Sequence, residues 1–247
     1  MSEGLARYRA GMPSRMVRAE EVAVFTDLHL TPAAPEEIFA FAQSLLELPV
    51  NLEALVILGD LFDAYIGPED LAHPAWTGLW QAVEFLKHRG AEVFLIRGNR
   101  DVLMTPKDGQ RVGLEVVDSV LLEGEGAPGC LLTHGDAFCL ADLPYQKLRR
   151  LLRNPLLRPI LRGLPLSLRR RLAARLRQHS TKEVARKPLN MLHLDRETVA
   201  RIAAEEGAQR VVIGHLHQHQ HETLEQGVEL RVLPAWEVGR EPFHPLA

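Results

Sequence analysis

Five short apolar runs punctuate the chain: VAVF at 22–25, ALVIL at 54–58, VFLI at 93–96, CLLT at 130–133 and RVVI at 210–213. Their length and their Val and Ile content predict strands, and the lack of polar alternation predicts burial on both faces. The segments between them change period. PEEIFAFAQSLLEL is apolar at 38, 41, 45 and 48, which is helical spacing. WTGLWQAVEFLKHRG closes on Gly90, a helix stop, and HLDRETVARIAAEEG opens with Asp195 as an N-cap. Strand–helix alternation around continuous apolar strands predicts an α/β layered fold. No internal repeat interrupts it.

Composition sets bounds on this picture. With 247 residues, 46% hydrophobic and 25% charged, the chain suits one domain with a sizeable core. The net charge of −3 says little about partners. Two cysteines, Cys130 and Cys139, imply no disulfide framework and fit a reducing cytoplasmic setting. Cys130 reads as core and Cys139 as a small packing residue. No apolar run approaches the roughly 18–20 residues of a membrane span. Residues 1–20 lack a signal-peptide core and read as a flexible N-terminal extension to a domain at 21–247. One region stands apart. Residues 146–187 hold fourteen Lys or Arg, eleven Leu, a single acid (Glu183) and no Phe, Tyr or Trp. That shift marks an insertion, at about 141–187.

Chemistry-bearing residues follow each run: Asp27 and His29 in T-D-L-H, Asp60 and Asp63 in G-D-L-F-D, Asn99, Arg100 and Asp101 in G-N-R-D, His134 and Asp136 in H-G-D, and His215 and His217 in G-H-L-H. Singly, each has a bland reading as a turn or loop. Together, the candidate ligands among them are four imidazoles, two carboxylates (Asp27 and Asp60) and an amide at strand ends, where α/β sheets bind ligands. This is too many donors for one tetrahedral zinc. It suits two cations of intermediate character (Mn, Fe, Co or Zn), with Asp60 as the bridging carboxylate. No thiolate joins the set, which argues against a structural zinc site. His219 and His221 alternate with Gln beyond these positions and read as solvated.

The ordered set D-x-H, GD-x-x-D, GN-R-D, HGD and GH-x-H resembles the calcineurin-like metallophosphoesterases. The resemblance implies a four-layer αββα sandwich of two mixed sheets. It also implies that Asp27, His29, Asp60 and His217 hold one metal and Asp60, Asn99, His134 and His215 the other. The catalytic group would then be Asp60, Asn99, Arg100 and His134. Many relatives carry His where this chain has Arg100. An arginine cannot protonate a leaving alkoxide but can stabilise phosphoryl charge, which favours a leaving phosphate and hence a pyrophosphate bond.

DLHL, GDLFDAYIG, GNRD, HGDAFCLADLPYQKLRR and the basic Leu-rich insertion are similar to the UDP-2,3-diacylglucosamine pyrophosphohydrolase family. That family is Mn-dependent, and it acts in lipid A synthesis at the cytoplasmic face of the inner membrane. The resemblance implies a lipid-linked UDP-sugar substrate, with contacts from Asn99, Arg100, Asp142, Tyr145, Arg149, Ser180, Lys187 and His215. The chain departs from the family pattern at Ala141, Val184 and Gln218, outside the metal motifs. In LSLRRRLAARLRQ, Leu168, Leu172 and Leu176 share one helical face, with arginines mostly elsewhere. Such a helix can rest on an anionic bilayer or pack its Leu face on the core. The segment upstream is broken by prolines into short helices. A soluble nucleotide pyrophosphate or a phosphodiester is the alternative substrate. Nucleic acid is disfavoured, because single-strand binders interleave aromatics with basic residues and this insertion has none. The sequence carries no clear oligomeric signal.

Overall fold

The computed structural model describes residues 14–125, 128–186 and 194–246, and of 177–186 the backbone alone. Its strands are β1 (Ser14–Arg18), β2 (Val22–Phe25), β3 (Ala54–Ile57), β4 (Glu92–Ile96), β5 (Glu115–Val117), β6 (Ser119–Glu123), β7 (Cys130–Leu132), β8 (Arg210–Ile213), β9 (Gln220–Thr223) and β10 (Glu229–Val232). Its helices are α1 (Pro35–Leu46), α2 (Thr77–His88), α3 (Pro106–Gln110), α4 (Leu143–Arg153), α5 (Leu157–Gly163), α6 (Leu166–Arg186) and α7 (Arg196–Glu206).

The strands form two sheets. One is all parallel, in the order β2-β3-β4-β5; the other is mixed, in the order β1-β6-β7-β8-β10-β9. The five apolar runs are therefore split, three in the first sheet and two in the second. Period-two alternation still sorts their side chains, but between two apolar layers. Val22, Val24, Val56, Phe94, Ile96, Leu132 and Val212 meet between the sheets. Phe25, Leu55, Ile57, Val93 and Leu95 face outward onto α1 and α2, while Leu131, Val211 and Ile213 face α7. The result is the expected αββα sandwich.

The helices follow their sequence signals. α1 buries Ile38, Phe41, Ala42 and Leu45, one stripe at helical spacing. Asp195 caps α7 by accepting from Thr198 N at 2.8 Å, and Gly207 ends that helix in the left-handed conformation.

One expectation needs correction. Residues 14–18 are not part of a loose extension, because β1 pairs in parallel with β6 at the edge of the mixed sheet; residues 1–13 lie outside those described. His221 is solvent-exposed, in line with expectation. It lies on β9, and its Nε2 is 2.9 Å from Glu229 Oε1 on β10. His219 is exposed, as expected.

The basic insertion supplies α4–α6, a helical cap held by an unusual inside face. The buried residues of α4 are Gln146 and Arg149, and none of α5 is buried. Arginines anchor the cap to carboxylates of the sandwich: Arg149 to Asp136 and Arg153 to Asp118, both at 2.7 Å, Arg162 to Asp108 at 2.5 Å, and Arg169 to Glu69 at 2.6 Å. The aliphatic residues point the other way. Leu151, Leu156, Ile160, Leu168, Leu172 and Leu176 are all exposed. The option of a Leu face packed on the core is thus not the one realised here.

Candidate metal centre

The sheets present their ligand-bearing loops at one rim. Asp27, His29, Asp60, His215 and His217 all have positive φ, between 49° and 66°. Non-glycine residues pay of order 1 kcal/mol or more for that conformation, and such strain concentrates at functional sites. The loops are laced together by backbone bonds, Asp27 N to Gly59 O at 3.1 Å and His29 N to Asp60 O at 2.9 Å. The glycines beside the ligands allow close approach. A Cβ at Gly98 would collide with Asp60 Oδ1, and one at Gly214 with Thr26 Oγ1 and Asp27 Oδ2.

Each donor is oriented by its neighbours. Asp27 Oδ2 accepts from Thr26 Oγ1 at 2.7 Å and His215 N at 2.8 Å, which leaves Oδ1 facing His217 Nε2 at 3.3 Å. Asp60 Oδ1 accepts from Arg100 N at 2.8 Å and lies 3.7 Å from His134 Nε2, while its Oδ2 lies 3.9 Å from His29 Nδ1. One carboxylate therefore addresses both halves of the rim. His134 Nδ1 is 3.0 Å from Leu58 O, an oxygen that can only accept; the proton sits on Nδ1 and Nε2 is free to ligate. Asn99 Oδ1 is 3.2 Å from that Nε2. His29 and His217 approach to 3.3 Å between their Nε2 atoms, and the His134 and His215 rings lie 5.0 Å apart.

This crowding shifts protonation. Burial, aided by the Asp101 and Asp27 charges, pushes the Asp60 carboxyl up to about 7. Burial pulls His29 and His215 down to about 4, so both are neutral imidazoles at neutral pH. For Asp27, burial acts upward but is outweighed by His217 and Thr26, which hold it below the usual carboxylate range. Burial acts downward on His134, and the Asp60 and Asp27 carboxylates outweigh it.

The donors fit divalent cations. Asp27, His29 and His217 offer ligand atoms within 4.8 Å of one another, and so do Asp27, Asp60 and His134. Asp27 Oδ1 and His29 Nδ1 are buried without hydrogen-bond partners, the state expected of atoms that await a ligand. The two groups share Asp27, whereas the sequence assigned sharing to Asp60; the distances above put Asp60 between the halves as well. His215 falls outside both groups and packs beside His134.

The other singled-out residues divide. Arg100 lies next to Asn99, and its Nε is buried without a partner. Asp142 caps α4 by accepting from Tyr145 N at 3.2 Å. Tyr145 OH and Arg149 Nε both donate to Asp136 Oδ2 at 2.7 Å, while Arg149 Nη2 stays buried without an acceptor. Ser180 lies on α6 with its side chain outside the described residues, as does that of Val184, and Lys187 is outside them altogether. Sequence reasoning missed the organisers. Thr26 holds Asp27, and Asp101 accepts from Leu61 N and Phe62 N at 3.2 Å each to shape the loop after β3. Asp136 joins the cap to the sandwich. Asp101 and Asp136 sit inside the quoted motifs; nothing in their spacing distinguishes an organiser from a ligand.

The calcineurin-like phosphoesterase family model matches residues 21–219. The UDP-2,3-diacylglucosamine hydrolase of Pseudomonas entomophila (strain L48) is 36% identical over 197 residues, spanning 80% of this chain and 82% of the relative. That of Edwardsiella ictaluri (strain 93-146) is 37% identical over 215 residues, spanning 85% and 82%. Among solved structures, vacuolar protein sorting 29 from Cryptosporidium parvum aligns with 87% of this chain and 73% of its own, at 13% identity and a TM-score of 0.41, too distant to bear on function. A family match running from β2 through the loop after β8, joined to relatives more than one-third identical over four-fifths of the chain, means that this protein belongs to the calcineurin-like phosphoesterase family and is a close relative of its UDP-2,3-diacylglucosamine hydrolases.

Proposed function

We propose that this protein hydrolyses the pyrophosphate of UDP-2,3-diacylglucosamine. Water attacks the α-phosphorus, releasing UMP and 2,3-diacylglucosamine 1-phosphate, lipid X, in lipid A synthesis. The observation that carries the reading is the convergence of Asp27, His29, Asp60, His134 and His217 at one rim, in a chain 36% identical to a UDP-2,3-diacylglucosamine hydrolase.

In this reading Asp27, His29, Asp60 and His217 hold one cation, and Asp60, Asn99, His134 and His215 the other. Manganese is the first choice for this N/O donor set, with zinc, iron and cobalt behind it. Two bound cations supply Lewis acidity, which makes water a nucleophile near neutral pH and offsets charge on the phosphoryl oxygens. The protein's own groups do the rest. Leu58 O fixes the His134 tautomer, and Arg100 N fixes the Asp60 carboxylate. Arg100 stabilises the transferring phosphoryl group without donating a proton, which suits a phosphate leaving group whose second pKa is ~6. The unpartnered Arg100 Nε and Arg149 Nη2 are donors left for substrate oxygens. Asp142, Tyr145, Ser180 and Lys187 complete the sugar-phosphate side.

No helix among the described residues is long and apolar enough to cross a membrane. The outward Leu face of the cap, with Arg150, Arg170, Arg171 and Arg175 exposed beside it, supports peripheral docking on an anionic surface, the cytoplasmic face of the inner membrane. There the cap receives the acyl chains of the substrate.

The test is UMP release from UDP-2,3-diacylglucosamine by the Mn-loaded protein in detergent, with UDP-N-acetylglucosamine alongside and Asp60→Ala as the blank. Release from the lipid alone, abolished in the variant, is expected. Turnover of the soluble nucleotide sugar with none of the lipid would remove the substrate assignment.

A further inference from the structure

Asp136 lies two residues past His134, is 2% exposed and belongs to no ligand group. Its Oδ2 receives Tyr145 OH and Arg149 Nε at 2.7 Å each, and its carbonyl receives Gln146 Nε2 at 2.8 Å. All three donors belong to α4, the first helix of the cap. Gly135, at φ 104°, makes the turn that carries the chain from His134 to Asp136. On the metal side the Tyr145 ring is stacked on His215, with centroids 6.1 Å apart and planes at 28°, and His215 packs on His134 at 5.0 Å. One carboxylate thus sets both the seat of the cap and the surface against which His215 rests.

We propose that Asp136 is a positioning residue that couples cap seating to cation binding: by holding Tyr145 and Arg149 it keeps the Tyr145 ring against His215. The inference rests on the two-cation reading but not on the identity of the substrate. The His215 backbone N–H is already bound to Asp27 Oδ2, so the loop is fixed and the ring is what remains to be oriented. Stacking confines the ring plane, and the Tyr145 hydroxyl, tied to a buried carboxylate, confines the tyrosine. Groups that orient a metal-binding imidazole are worth about 10–100-fold in metal affinity.

The experiment is Mn2+ binding to the purified full chain, by calorimetry, for wild type, Asp136→Asn, Tyr145→Phe and Tyr145→Leu, with thermal unfolding recorded for each. Tyr145→Leu removes the stacked ring and is expected to weaken one of two Mn2+ sites by about 10–100-fold, leaving the other unchanged. Asp136→Asn should weaken the same site. Tyr145→Phe, which keeps the ring and loses only the hydroxyl, should weaken it less. If Asp136→Asn does not fold, the two Tyr145 variants still decide. Unchanged affinity at both sites in Tyr145→Leu, even with a lowered Tm, would show a merely structural contact and overturn the proposal. A wild type with fewer than two Mn2+ sites would overturn it together with the two-cation reading. The site-specific loss in a protein that does not cleave the lipid would remove the substrate assignment and leave this coupling standing.

Discussion

Asp60 is the residue on which the site's electrostatics turn. Its burial and the nearby Asp101 and Asp27 charges raise its carboxyl to about 7, so without cations it holds a proton through much of the range below neutrality. A cation must displace that proton. Since the metal-free protein binds the proton below about 7 and sheds it above, Mn2+ affinity is expected to rise with pH through about 7; His134, held up by the Asp60 and Asp27 carboxylates, and His217, held up by Asp27, must also be neutral to ligate and add to the rise. The slope below that point should be at least about tenfold per pH unit, the value for a single displaced proton. Calorimetry in buffers of different ionisation enthalpy would detect the released proton at pH 6; no release there would contradict the assignment of Asp60 as a ligand. Arg100→Ala is expected to lower kcat by about 10²–10³, the usual cost of losing a donor to developing charge. Steady-state kinetics would read this, and an unchanged kcat would remove Arg100 from the reaction. At this scale the candidate metal-binding residues were legible, because Asp and His after an apolar run is a sequence signal. Their organisers were not. Thr26 reaches Leu58 across 32 positions and His134 reaches the same carbonyl across 76, and a backbone acceptor has no side-chain signature.

Sequence reasoning found the strands with continuous apolar runs, β2, β3, β4, β7 and β8, the helices α1, α2, α6 and α7, and the short helices upstream of α6. It missed β5, β6 and β10, which are short and mixed in polarity, and the two edges of the mixed sheet, β1, whose SRMVR has a single buried residue, and β9, whose QHET has none. Edge strands carry no strong apolar alternation, and neighbours supply their hydrogen bonds. The cap misled differently. Its 3.6-residue pattern was visible, but the inward face is made of arginines. Period alone cannot say which face of an amphipathic helix meets the protein; here the waiting carboxylates Asp136, Asp118, Asp108 and Glu69 decide it. Arg162 grips Asp108 with two nitrogens while Asp108 caps α3 through Thr105. Arg162→Ala leaves that buried carboxylate with its capping bonds only. The expected cost is about 1–3 kcal/mol, expressed as local opening of the cap. Faster hydrogen exchange in α5 than in β3 would register it, and identical exchange throughout α5 would rule it out.

At the scale of the whole molecule, one set of contacts closes the sandwich over a strained rim and another turns an aliphatic surface outward. The first makes stability depend on cations. At Mn2+ a hundredfold above its Kd, binding to the native state contributes about 2.7 kcal/mol per site. For a domain of this size that raises Tm by about 5–10 °C per site. A chelator should reverse the rise, and a Tm indifferent to both would contradict the metal reading. The second set concerns where the protein works. Leu168, Leu172 and Leu176 are 40%, 37% and 41% exposed on one face of α6, and exposed arginines border them. Burying a fully exposed leucine in an apolar phase yields about 1.5–3 kcal/mol, so the exposed part of these three is worth about 2–4 kcal/mol in all, comparable with the ~1 kcal/mol each arginine adds at an anionic surface. Sedimentation with vesicles containing anionic phospholipid should therefore retain substantial binding in high salt. Replacing all three leucines by serine should weaken it by about 20–500-fold, or roughly 2–4 kcal/mol. If charge alone held the cap to the surface, the pattern would invert: salt would strip the protein from vesicles and the serine variant would bind like wild type.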